Sequence, residues 1–292
     1  MANLKEVRTR IASVSSTQQI TSAMKMVSAA KFRRAQNAII GMRPYVDQLR
    51  TILADIGAED STCTPYHAQR PVERVLLVVI TSNKGLCGAF NSNVIKQANA
   101  RVEQYKKHAR VSLITFGRKA TEAFAKQPGL IEASHDDLLD SCTFQQVVPI
   151  VESIMQRFAN KEIDHVEIVY NQFKNSIQQI LRTEQFLPVG EDSSLKRPSA
   201  QAPKRNHDYL YEPEKEAILQ TLVPLTLRSQ FYSALLDSLA AEHGARMTAM
   251  QKATDNATEL LKELRLTYNK ARQAAITNEI IEIVSGSEAL KN

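Results

Sequence analysis

The chain has 292 residues, 43% of them hydrophobic and 23% charged, with a formal net charge of +6. That length suits two domains or one domain with large appendages. Its longest apolar run, VLLVVI at 75–80, is strand-sized and far short of the ~18 residues of a membrane span. Three cysteines (Cys63, Cys87, Cys142) lie far apart without a CxxC, which speaks against a disulfide framework. Among the six histidines there is no HxxxH or HExxH, and His135 beside Asp136 and Asp137 reads as a solvated loop rather than a metal site.

The first element is helical. No glycine or proline occurs before Gly41, and the pattern resumes after Gly41 and Pro44 to about Ile56. Leu4, Val7, Ile11 and Val14 are spaced 3, 4 and 3, the spacing of a coiled coil. The apolar phase then slips to Ile20, Met24 and Val27, which predicts a local unwinding of the supercoil. The start is rich in Arg and Ser, in the manner of a targeting peptide, but its helical pattern continues past residue 30 and is expected to be mature protein. Lys5, Arg8, Arg10, Lys25, Lys31, Arg33, Arg34 and Arg43 face Glu6 alone, an excess above that of the whole chain. Such a helix suits an acidic partner: nucleic acid, anionic lipid or an acidic protein surface.

Residues 57–71 read as a linker, and 72–208 as an α/β domain. VERVLLVVITSN and RVSLITFG read as buried strands. NVIKQANARVEQYKKH, RKATEAFAKQ and TFQQVVPIVESIMQRFAN read as helices, the last despite Pro149. HVEIVYNQF and SIQQILRTEQFLPV read as a hairpin at one sheet edge. Alternating strands and helices predict a largely parallel, Rossmann-like open sheet. Residues 190–208 are polar, hold two prolines, and are expected to be a mobile loop.

From Glu214 only Pro224 and Gly244 interrupt a helical pattern, and Gly286 is the expected stop. This C-terminal helix, within 209–292, is about 70 residues or roughly 100 Å long, against roughly 80 Å for the N-terminal helix over 1–56. A domain of about 120 residues has a radius of gyration near 14 Å, so both helices must outrun it. They pair most simply as a long antiparallel coiled coil with the α/β domain inserted between them. The C-terminal helix then overhangs by roughly 15–20 residues. That overhang carries Ile276, Ile280, Ile281, Ile283 and Val284 on nearly every side, a pattern normally found buried.

TSNKGLCGAFN (81–91) stands where a phosphate loop would stand, yet Gly85 and Gly88 match neither GxGxxG nor a Walker loop. A tight strand-to-helix turn is the better reading. Cys87 is a nucleophile candidate without an identifiable histidine partner. No catalytic, cofactor or metal residue is marked. A nucleic-acid-binding coiled coil is disfavoured because Phe32 and Tyr45 are the only aromatic residues of the basic helix. An enzyme with an anion site at Gly85–Gly88 is the remaining alternative.

IASVSSTQQITSAMKMVSAAKFRRAQ, TSNKGLCGAFN, YLYEP, RMTAMQKATDNA and ITNEIIEIVSGS occur in this order. Together they make the chain closely similar, along its whole length, to the gamma subunits of bacterial F-type ATP synthases. Asn83-Lys84, where the family more often has Asp-Arg, and Ala89 for a glycine are small departures. The resemblance implies a non-catalytic central shaft within a hexamer of alpha and beta subunits. A foot bearing the epsilon subunit would sit on the c-subunit ring, at the cytoplasmic face of a bacterial inner membrane. No nucleic acid, cofactor or metal is implied. By motif match, Met24, Lys25, Arg246, Gln273, Thr277 and Glu279 would contact the hexamer. Tyr209, Tyr211 and Glu212 would face the c ring. Arg246 could instead bridge within the coiled coil, Met24 pack on the partner helix, and the tyrosines belong to the foot's core.

Overall fold

The computed structural model describes residues 4–57, 64–176, 178–189, 212 and 214–289. The element order is α1 (Leu4–Gly57), β1 (Arg74–Ile80), α2 (Phe90–Tyr105), β2 (Arg110–Phe116), α3 (Arg118–Phe124), β3 (Ile131–Ser134), α4 (Phe144–Ala159), β4 (His165–Phe173), β5 (Gln179–Leu187) and α5 (Lys215–Ala289). The chain forms two units, Ala29–Arg246 and the pair Met1–Ser28 with Met247–Asn292. The α/β region anticipated at 72–208 therefore shares its unit with stretches of both long helices, because those stretches complete its core. The expected mobile loop at 190–208 lies outside the described residues.

In the larger unit, five strands run in the order β3-β2-β1-β4-β5. β1 pairs in parallel with β2 and β4, β2 with β3, and β5 closes one edge antiparallel to β4. β1 is central and buried from Val75 to Ile80, which is why it reads as an unbroken apolar run rather than an alternating one. Its side chains divide with the strand period. Val75, Leu77 and Val79 pack with Val94, Ala98, Val102, Ala120 and Phe124 of α2 and α3. Leu76, Val78 and Ile80 share a core with Val151 and Phe158 of α4, Leu53 and Ile56 of α1, and Leu219, Val223 and Phe231 of α5. Phe231 meets Phe116 and Phe186 edge-on, with ring centroids 5.6 Å apart in both pairs.

Several sequence expectations change here. β3, with only four residues, was not foreseen; its half-buried IEAS pattern is too short for periodicity to register. Gly41 and Pro44 do not interrupt α1, nor Pro224 α5. Burial of Ile39, Val46, Leu49 and Leu53 beside the former pair, and of Leu219, Val223 and Leu227 beside the latter, outweighs the propensity cost. Gly286 does not stop α5, which continues to Ala289.

The expected phase slip in α1 is also corrected. The covered face keeps one 3-4 spacing: Leu4, Val7, Ile11, Val14, Gln18, Thr21, Lys25 and Ser28 are all buried or half-buried. Ile20 and Val27, read as a second apolar stripe, are 60% and 59% exposed. The heptad continues with polar residues on the inside while apolar ones turn outward.

At the other end of β1, Gly117 (φ 99°) lies so close to Thr81 that a Cβ would sit 2.6 Å from the Thr81 carbonyl oxygen. Gly117→Ala combines that clash with left-handed strain. It is expected to destabilise the larger unit by about 2–4 kcal/mol, measured as a lower urea midpoint of the full chain with its slope unchanged.

Candidate functional surfaces

In the smaller unit, α1 and α5 run antiparallel with a register set by side-chain hydrogen bonds. Arg8 donates to the Tyr268 hydroxyl (2.8 Å), Gln18 to Thr258 Oγ1 (2.7 Å), and Thr254 Oγ1 to Thr21 Oγ1 (2.8 Å). Thr21 Oγ1 in turn donates to the Gln18 carbonyl (3.0 Å). The paired numbers sum to 275 or 276, so Leu4, the first described residue, lies opposite residues 271–272. The covered stripe of α5 in this unit, Met250, Thr254, Ala257, Leu261, Leu264, Tyr268 and Ala271, ends at that point. Every residue from Arg272 to Ser287 is exposed, including Ile276, Ile280, Ile281, Ile283 and Val284. The tail expected from the helix lengths is present and uncovered by the rest of the unit. Gln273, Thr277 and Glu279 are exposed on it, and Thr277 is tied back to the Gln273 carbonyl of its own helix (2.9 Å). Met24 and Lys25 are half-buried on α1, while Met26 beside them is exposed.

The second surface is the turn between β1 and α2, in the larger unit. It is closed by its own side chains. Asn91 accepts from the Ser82 backbone N–H (3.0 Å) and donates to Ser82 Oγ (2.8 Å), and Cys87 Sγ lies 3.2 Å from its amide nitrogen. Asn83 donates to the Asp136 carbonyl (2.8 Å) and accepts from the Arg118 N–H (3.1 Å), joining three loops. An aspartate at 83 could accept from Arg118 but could not donate to Asp136. Burial pushes the Cys87 thiol pKa up, against the thiolate a nucleophile needs. These bonds close the stretch on itself, in the manner of a tight strand-to-helix turn.

Arg246 sits on α5 above this turn and is 8% exposed. Its guanidinium donates to the carbonyls of Gly85 and Lys84 and to Glu242 Oε1 (2.7 Å), one turn back on its helix. The structure thus spends Arg246 inside its own unit, on a partner that helix spacing alone could not indicate. Leu86, between those carbonyls and Gly88, has φ 66° and is 65% exposed. A left-handed leucine costs about 1–2 kcal/mol, so the surrounding bonds must hold it there. Sequence reasoning missed Glu242, Asn83 and Asn91. Only the Glu242–Arg246 spacing of four carried a signal. Of the residues expected to face the c ring, Glu212 is exposed, while Tyr209 and Tyr211 lie outside the described residues. Among the described residues no helix is long and apolar enough to cross a membrane.

The family described as ATP synthase matches residues 3–290. The chain belongs to the ATP synthase gamma chain family. It is 52% identical over 292 residues to the ATP synthase gamma chain of Flavobacterium johnsoniae and 49% identical over 299 residues to that of Cytophaga hutchinsonii. These alignments cover 99% of both chains in the first case and 100% of both in the second. Among solved structures it resembles a chain of the central stalk and c ring of the Tetrahymena thermophila mitochondrial ATP synthase. The TM-score is 0.58 at 25% identity, covering 80% of this chain and 99% of that one. A chain of the Euglena gracilis mitochondrial ATP synthase, from a structure of OSCP, F1 and c ring, gives a TM-score of 0.68 at 24% identity. It covers 98% of this chain and 94% of that one, and shows the shared fold.

His243, beside Glu242, is held down to a pKa of about 4, first by burial and then by Lys31 and Arg246. A histidine with a depressed folded pKa binds more protons when unfolded, so stability falls as pH drops from about 6.5 towards 4. Replacing it (His243→Gln) should flatten the stability–pH slope over that window, as read from urea midpoints at each pH. The polar seam costs stability in the same way that polar a positions do in coiled coils. Changing Gln18 and Thr258 together to leucine should raise the thermal midpoint of the helix pair, followed by circular dichroism.

Proposed function

We propose that this chain is the central shaft of a rotary ATP synthase, turning inside a hexamer of alpha and beta subunits and carrying no active site of its own. One observation carries the reading: α5 extends past the start of α1 as a helix with isoleucine and valine exposed on all sides. A lone helix of that length and β-branched content is marginal in water. Each of its large apolar side chains gains about 1.5–3 kcal/mol on burial, so a sleeve from other subunits is the favourable state. Ala271, Ala274 and Ala275 leave the first turns of the tail without deep knobs. Rotation there does not have to lift large side chains out of tight sockets.

Within this reading, Met24 and Lys25 on α1, and Gln273, Thr277 and Glu279 on α5, are the residues that meet the hexamer. The basic N-terminal helix faces acidic loops of the beta subunits. Solvent-exposed ion pairs of that kind are worth about 0–1 kcal/mol, weak enough to exchange at every step. Arg246 contributes from within, through the turn it holds. The larger unit is the foot. Tyr209, Tyr211 and Glu212 lie towards the epsilon subunit and the c ring, whose proton-driven rotation the foot receives. The working place is the cytoplasmic face of a bacterial inner membrane, with the chain held there peripherally.

The purified chain is expected to hydrolyse no ATP and to organise or stimulate hydrolysis by alpha and beta subunits. Substantial turnover by the chain alone would overturn the proposal. Removing residues 277–292 should weaken assembly or coupling while the thermal transition of the larger unit stays within about 2 °C of the full chain.

A further inference from the structure

The turn 81–91 rests on α5 through a small core of its own. Cys87 and Phe90 pack with Leu236, Ala240 and Ala241 of α5, Ile39 of α1 and Phe173 of β4. Arg246 stands beyond those residues on the same helix. Its two carbonyl acceptors, Lys84 and Gly85, immediately precede Leu86, the residue in the left-handed conformation. Glu242 neutralises the guanidinium and sets its direction (2.7 Å). Gly85 and Gly88 have open space where a Cβ would stand, so close packing does not hold this segment from its outer side. It is held by the Asn91 and Ser82 bonds at its base, by Ser82 Oγ donating to the Lys84 carbonyl (2.8 Å), by the Asn83 bonds to its neighbouring loops, and by the Arg246 fork at its tip.

The geometry points to Arg246 as a positioning residue: it clamps the tip of the 81–91 turn to α5 so that Leu86 is held outward in one pose. This rests on the shaft reading for its consequence: the resemblance puts Arg246 where the hexamer is met, so Leu86 beside it is the apolar knob offered to the alpha and beta subunits. It differs from a direct contact role for Arg246, because the guanidinium acts through the turn. A lysine keeps the charge but presents a point donor in place of a fork, and cannot reproduce bonds to two successive carbonyls and a carboxylate together.

Cys87 reports the clamp directly, because its thiol is buried beneath the turn. Maleimide alkylation of the full chain, with the Cys87 peptide followed by mass spectrometry, measures how often the turn opens. Alkylation of Cys87 is expected to rise by roughly tenfold or more in Arg246→Lys and Arg246→Ala, with helix content unchanged. Adding Leu86→Gly to Arg246→Lys removes the left-handed strain and should restore much of the protection. Wild-type protection of Cys87 in both Arg246 variants would overturn the clamp; should Arg246→Ala fail to fold, Arg246→Lys carries the test. In complexes reconstituted with alpha and beta subunits, Leu86→Ala should lower the maximal ATP turnover without raising Cys87 alkylation in the free chain. Unchanged turnover would overturn the outward role of Leu86 and leave the shaft reading intact. A wild-type chain that fails to assemble with the hexamer would instead overturn the shaft reading and leave the clamp standing on its alkylation result.

Discussion

A helix cannot cover its own side chains, and α5 is a single helix of 75 residues. Everything else in the chain can be understood as supplying, or leaving unsupplied, the cover that α5 needs. In the larger unit the sheet, α4 and α1 enclose it so fully that Thr226, Ser229, Phe231, Leu235 and Ala240 all have no exposed surface. In the smaller unit α1 alone supplies cover, and a single partner hides a single stripe. Past Ala271 nothing within the unit does, and the apolar residues remain exposed.

The way α5 is gripped in the larger unit follows from this. Full enclosure brings polar side chains inside, and the charged ones, Asp237, Glu242 and Arg246, are paired there. Asp237 is pushed towards its protonated form by burial and held back by Arg43, which bonds it at 2.6 Å and also donates to the Phe173 carbonyl. Helix α1, helix α5 and strand β4 are thereby joined by one guanidinium. Arg246 repeats the device at the β1–α2 turn, joining α5 to the carbonyls of Lys84 and Gly85. A planar, permanently charged group with five donors suits both places, because each asks for several acceptors in fixed directions. Together with the aromatic contacts of Phe231, these bonds make the sheet and this part of α5 one body.

The helix pair of the smaller unit is built on the opposite principle. Gln18, Thr21, Ser28 and Thr254 occupy positions where a stable coiled coil would place leucine or isoleucine. Their hydrogen bonds fix the register but contribute less than apolar burial would. Ile20, Met26 and Val27 meanwhile face outward. Apolar surface has been moved from the seam to the outside, an arrangement that favours partners other than the neighbouring helix.

Much of this was legible in the sequence. β1 announced itself through an apolar run of strand length, and the hairpin of β4 and β5 through two neighbouring strand-like segments. The two long helices were legible through the scarcity of glycine and proline, and their difference in length already implied an uncovered tail. These features depend on local periodicity and chain length, which a sequence states outright. The seam of α1 was misread at Ile20 and Val27 because hydrophobicity was taken to mark the inside, whereas the face a helix buries is decided by its partner. β3, the Asn83 and Asn91 bonds, and the inward turn of Arg246 towards residues about 160 positions earlier were not legible. Periodicity specifies which residues share a face; only the folded chain decides what that face meets, because the meeting depends on contacts between residues remote in sequence.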